Sequence, residues 1–168
     1  MLKNRKGVTY IELLLTVVAV IVLAVISFRL YGYNIERSVA VEGAETLRRI
    51  SDAEMVYRLE NKTWANFEDL TLKLEGELLD SKTFKKDNFV FDIDFDENSD
   101  VKIRARRYYN EGEITSGNKS YWLVASVAKI PADNGRFYDV YARADDSATG
   151  KEKTVVNYIN KKFGGKGD

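Results

Sequence analysis

One carboxylate stands alone in an apolar run. Across residues 8–28 the only charged side chain other than those outside the run is Glu12. As a helix this run is about 31 Å long at ~1.5 Å per residue, enough for a hydrocarbon core of about 30 Å. A carboxylate at mid-membrane costs on the order of 2.5–3.5 kcal/mol, and less near an end. An ionisable group in that setting calls for a function and a named partner. Two further acidic groupings are Asp92, Asp94, Asp96 and Asp100, and Asp145, Asp146 and Glu152. Calcium takes several oxygen ligands, but the first set is too evenly spaced along a strand to wrap one ion. Solvated or ion-paired carboxylates are the simpler reading of both. Arg104-Ala105-Arg106-Arg107-Tyr108-Tyr109 mixes cations with aromatics as single-strand nucleic-acid surfaces do. Strand alternation, however, sends Arg106 and Arg107 to opposite faces, and the expected pairing gives Arg104 to Asp92. Nucleic acid is therefore not an expected partner. With no His, no Cys, no phosphate-cradling glycine loop and no metal-ligand spacing, no nucleophile–base pair can be assembled. The chain reads as no enzyme and no cofactor is expected; Asp145, Asp146 and Glu152 are weak candidates for calcium.

The element that must position Glu12 is a helix entered from a basic end. Lys3, Arg5 and Lys6 precede the apolar run, so that end is expected to stay cytoplasmic while the bulk of the chain is exported. A cleaved secretory signal would share the basic start, but this run is longer than a signal core, contains Glu12 and has no small-x-small exit near Ile26-Ser27-Phe28. A plain signal anchor fits the hydrophobicity equally well.

Lys6-Gly7 followed by Val8-Thr9-Tyr10-Ile11-Glu12-Leu13-Leu14 resembles the class III signal of type IV pilins and type II secretion pseudopilins. That family has a short basic leader ending in Gly, an apolar first mature residue, often Thr next, and Glu fifth. The resemblance covers about the first 30 residues, and the stretch 53–70 is similar to the family in general layout. Where many pilins have a helix-weakening Gly and Pro, this chain has Ile21 and Arg29 nearby. The resemblance implies that a membrane prepilin peptidase cuts between Gly7 and Val8 and N-methylates the Val8 amine. It also implies that Glu12 meets the Val8 ammonium of a neighbouring copy and sets the register of assembly. Glycine before the cut lets the backbone enter a tight protease site in extended form.

Beyond the run, the helix is expected to continue to about residue 60, with Ile35, Val39, Leu47, Ile50 and Tyr57 as its apolar stripe. Glu45 with Arg49, and Glu54 with Arg58, read as acid-before-base pairs four apart, each contributing roughly 0.3 kcal/mol. Residues 71–88 read as an irregular connection. The period then changes to two: Phe89, Phe91, Ile93 and Phe95 alternate with Val90, Asp92 and Asp94, and Val101, Ile103 and Ala105 with Lys102, Arg104 and Arg106. Matching apolar faces pairs Phe95 with Val101, Ile93 with Ile103, Asp94 with Lys102 and Asp92 with Arg104, around a turn at 96–100. Further strands are expected over 121–128 and 136–143, and a last strand or edge segment over 154–159.

The division expected is a basic leader (1–7), a transmembrane or filament-core half-helix (8–28), an amphipathic half-helix (29–60), a globular head (61–160) and a flexible tail (161–168). The fold class expected is α+β and pilin-like, a long N-terminal helix packed by its second half on an antiparallel sheet. Formal charge is zero from 26 basic and 26 acidic residues; loss of the leader would leave 23 against 26, net −3. The function the resemblance implies is a structural subunit of a type IV pilus-like filament, associating with itself through the helix. Its partners would be the prepilin peptidase, an inner-membrane assembly platform and the membrane that holds the single-pass precursor. A short periplasmic piston of type II secretion, and a single-pass anchored protein with a ligand-binding head, are the alternatives. Its location would be the inner membrane, then a cell-surface or periplasmic filament.

Overall fold

The first helix, α1, runs unbroken over Tyr10–Asn61. Nothing in that stretch breaks it: there is no proline, and the two glycines, Gly32 and Gly43, are tolerated singly in a helix. It stops where Lys62 takes a left-handed conformation (φ 66°) and donates its N–H to the Arg58 carbonyl at 2.8 Å, a C-terminal closure more often made by glycine. The computed structural model describes residues 9–70, 75–95, 100–108, 121–127, 138–144, 148 and 150–164. After α1 come β1 (Glu77–Asp80), β2 (Thr83–Lys86), β3 (Phe89–Asp94), β4 (Val101–Arg107), β5 (Tyr121–Val127), β6 (Tyr138–Ala144) and a second helix, α2 (Gly150–Phe163). The fold is α+β, and the six strands form one sheet in the order β1-β2-β3-β4-β5-β6, each pair antiparallel.

Contacts divide the chain into two units, residues 1–36 and 37–168. Through residue 28 the described side chains of the first unit are exposed. The second unit holds the core, which forms between one face of the sheet and a helix face made of Ala40, Gly43, Ala44, Leu47, Ile50, Ser51 and Glu54. These positions recur every three or four residues, as one helix face requires. The stripe expected from large apolar residues is corrected on three counts: Ile35 is exposed, and Val39 and Tyr57 are only partly covered. Small residues take their place because the sheet brings its own bulk. Gly43 is the tightest point, where an added Cβ would lie 2.6 Å from the Phe89 ring. That ring is itself held by Phe91 and Tyr121, with centroids at 6.1 and 6.3 Å. Gly43→Ala gains about 1 kcal/mol of helix propensity but overpacks at a cost of about 1–3 kcal/mol. The expected outcome in urea unfolding is a net loss of about 1 kcal/mol; an unchanged midpoint would mean the ring yields freely.

The β3–β4 hairpin forms in the expected register, with Ile93 opposite Ile103, Asp94 opposite Lys102 and Asp92 opposite Arg104. The ladder ends at Asp94, one residue short of the Phe95–Val101 pair, and residues 96–99 of the expected turn lie outside the described residues. Strands β5 and β6 fall where expected, displaced at their ends by one or two residues. The connection expected over 71–88 instead contains β1 and β2. Charged Glu77, Asp80, Lys82, Lys85 and Lys86 hide that hairpin in the sequence, while Phe84 anchors it against Phe67 and Phe91.

The strand or edge segment expected over 154–159 is part of α2. The β-branched Thr154-Val155-Val156 suggests extension, but Val155, Val156 and Ile159 are buried together on one helical side. Glu152 in the first turn and Lys161 and Lys162 in the last complement the helix dipole. The helix reaches Phe163, three residues into the segment expected as a flexible tail, of which 165–168 lie outside the described residues. On α2, Asn160 bonds to the outer main chain of β6: Ala142 N–H donates to Asn160 Oδ1 at 2.6 Å, and Asn160 Nδ2 donates to Ala142 O at 3.0 Å. The side-chain amide thus acts as one residue of an additional strand. Asn160→Ala leaves both main-chain groups without it, at about 1–3 kcal/mol. Hydrogen exchange at the Ala142 amide is expected to accelerate, and unchanged protection would rule out this role.

Candidate functional site

The start of α1 is built by two side chains acting on each other's backbone. Glu12 Oε2 accepts the Thr9 N–H and the Thr9 hydroxyl, each at 3.0 Å, and Thr9 Oγ1 accepts the Glu12 N–H at 3.4 Å. This is a capping box, Thr at the N-cap and Glu three residues on, satisfying donors that a helix start otherwise leaves without partners. The Thr-x-x-Glu spacing ahead of an apolar run was the available signal for it in the sequence. Glu12 therefore has a local structural task as well as its isolated charge. Among the described residues it is in no ion pair.

Behind that cap the helix presents apolar side chains on all sides, among them Leu15 and Leu23, exposed by 61 % and 64 %. A soluble surface rarely carries so large an apolar area without a partner or a membrane against it. The segment is long and apolar enough to cross a membrane. Gly7, Val8, Lys3, Arg5 and Lys6 lie outside the described residues, as do Asp145 and Asp146. Glu152 is placed in the first turn of α2. Among the described residues, no three His, Cys, Asp or Glu side chains converge to hold a metal ion.

Arg104 and its neighbours divide as strand alternation requires, with one change of partner. Although Arg104 stands opposite Asp92, its guanidinium bonds diagonally to Asp94 at 2.7 Å. Burial lifts the Asp92 carboxyl above its ordinary range, against the pull of Arg106 and Arg104. Arg107 turns inward, 5 % exposed, and donates to the carbonyls of Asn88, at 3.3 Å, and Tyr108. The Tyr108 hydroxyl donates to the Asp87 carbonyl, so this part of the motif ties the β2–β3 turn to β4. Tyr109 lies outside the described residues.

Of two carboxylates expected on a solvated helix face, Glu45 is exposed there and Glu54 is not. Glu45 approaches Arg48 at 4.0 Å, three residues on, in place of Arg49. Glu54 is fully buried and accepts the Ala65 N–H through Oε2 at 3.1 Å, while Oε1 has no hydrogen-bond partner among the described residues. Its expected partner Arg58 lies over the Trp64 ring, 4.0 Å from the centroid. Burial pushes the Glu54 carboxyl up to about 7; the Ala65 bond works the other way and Asp69 adds to the rise. Glu54 fastens the chain leaving α1 back onto the helix, a role that no spacing in the sequence signals.

A groove of about 630 Å³ opens between α1, β6 and the end of α2, with Arg48, Asp52, Tyr138, Asp139, Lys162 and Phe163 among its lining. Across it the Tyr138 hydroxyl donates to Asp52 Oδ1 at 2.8 Å, and burial together with that bond raises the Tyr138 pKa. Its charges are of both signs. No protein-family model, curated protein or solved structure matches this chain.

Proposed function

We propose that this chain is a prepilin-like structural subunit with a pilin-like fold. It is cut after Gly7 by a membrane prepilin peptidase, N-methylated at Val8, and held in the inner membrane by residues 8–28 as a single-pass precursor. Through the same helix it then packs with other copies into a type IV pilus-like filament, in concert with an inner-membrane assembly platform. It performs no catalysis of its own. The observation that carries this reading is the exposed apolar start of α1 with Glu12 as its only charge, four residues beyond Val8. In a filament each copy offers one surface to a different surface of the next, so the contacts repeat without closing. The membrane-facing apolar area is exchanged for helix–helix packing, while the pair between Glu12 and a neighbour's Val8 ammonium selects the axial position.

Mass spectrometry of the mature N-terminus tests the reading. An N-methylated Val8 is expected; an intact Met1, or a cut after Ser27, would overturn it in favour of an anchor or a secretory signal. Electron microscopy of expressing cells then separates a surface fibre from a short periplasmic piston.

A further inference from the structure

The face of the sheet turned away from the core gathers cations and aromatics from three strands. Across β4 and β5, Arg106 stands opposite Trp122, Arg104 opposite Val124 and Lys102 opposite Ser126. Across β5 and β6, Trp122 stands opposite Arg143, Val124 opposite Tyr141 and Ser126 opposite Asp139. Alternation places all of these on one face, because their neighbours Ile103, Ala105, Leu123, Ala125, Val140 and Ala142 are buried in the core. A depression of about 440 Å³ lies here; among the described residues its lining is Lys102, Arg104, Trp122, Val124, Tyr141, Arg143 and Ala144, with no carboxylate among them.

We infer that this depression binds an acidic polysaccharide, a chain of sugar rings carrying carboxylates of the uronate kind. Trp122 and Tyr141 are diagonal neighbours flanking Val124, and aromatic faces of this sort take the C–H faces of sugar rings. Lys102 and Arg143 form no ion pair among the described residues and stand at opposite corners, on β4 and β6. Arg143 can hold a carboxylate in a two-pronged bond, and Lys102 as a point charge. Arg104 is held by Asp94 and borders the depression.

The surrounding charges distinguish this ligand from nucleic acid. Among the described residues the same face of the sheet carries Glu77, Asp92, Asp94 and Asp139 beside Lys85, Lys102, Arg104, Arg106 and Arg143, so carboxylates nearly balance cations. Single-strand binding depends on a strongly positive groove following a phosphate at every nucleotide, and this face has little excess charge. A polysaccharide with separated carboxylates and hydroxyls between them uses the cations and the acceptors together. The inference does not depend on cleavage after Gly7 or on polymerisation, because the residues concerned all lie on β4, β5 and β6.

The test is binding of a polygalacturonate oligomer to the full-length protein in detergent micelles, measured by thermophoresis. Binding is expected, weakening with added salt. Arg143→Glu, an exposed change that spares the core, is expected to weaken it by about tenfold or more, and Trp122→Ala likewise. No binding, equal binding of the fully methyl-esterified oligomer, or an unaffected Arg143→Glu protein would overturn the inference. Tighter binding of a thymidine oligonucleotide of equal charge at the same salt would also overturn it and assign the face to nucleic acid.

Discussion

Replacing Glu12 by glutamine is expected to leave processing and membrane insertion intact while preventing entry into filaments. Glutamine can still complete a capping box with Thr9, so α1 begins where it does now. What is lost is the charge that the proposed assembly sets against a neighbour's Val8 ammonium. Breaking one side of a buried ion pair costs about 3–5 kcal/mol, which is roughly two to three and a half orders of magnitude in an equilibrium. Thr9→Ala makes the opposite change: it keeps the charge and loses the cap, at about 0.5–2 kcal/mol. Filament yield, measured with each variant as the sole subunit, is expected to collapse for Glu12→Gln and to persist for Thr9→Ala. The reverse order would make the helix cap, and not the ion pair, the reason for Glu12.

The second large effect concerns pH. The ordinary Glu54 value is 4.5, and burial in the folded protein raises it to about 7. Between those values the folded state retains a proton that the unfolded chain has released. This contribution to stability is therefore complete below about pH 4.5, declines as pH rises, and levels off above about 7. At about 1.4 kcal/mol per unit, the decline is on the order of 3 kcal/mol. Glu54→Gln has no proton to lose and retains an acceptor for the Ala65 N–H. The stability difference between the two proteins, measured by urea unfolding from pH 4 to 8, is expected to change by about that amount. Asp92, also raised by burial, cancels in the comparison. Parallel curves would show that the buried Glu54 carboxyl titrates normally.

How much of this was legible in the sequence depends on whether a side chain's surroundings are local. The β3–β4 hairpin was readable because a slip of one residue would bury Asp92 and Asp94 and expose Ile93. The long helix was readable because its apolar run and its charge pattern meet without a break. The inner face of α1 was not, since Ala40, Gly43 and Ala44 look like permissive helix formers until the Phe89 ring is set against them. Nor was α2: the Thr154-Val155-Val156 run favours extension in isolation, and packing of Val155, Val156 and Ile159 against the core overrides that preference. At Glu12 the sequence carried two messages, a charge in an apolar run and a capping spacing, and the first obscured the second. The outer depression is a product of pairing, since Lys102, Trp122 and Arg143 are far apart in the chain and are brought together only through the β4–β5 and β5–β6 ladders.

The bonds from Asn160 to Ala142 make the two borders of the sheet unequal. On the α2 side, a stray extended chain trying to zip onto β6 finds those main-chain groups already taken. On the far side β1 is terminal in the strand order, all four of its residues are exposed, and Leu78 and Leu79 are among them. Unwanted sheet growth in this protein should thus begin at β1, the border where, among the described residues, no further strand or side-chain amide takes the outer backbone and greasy side chains are exposed.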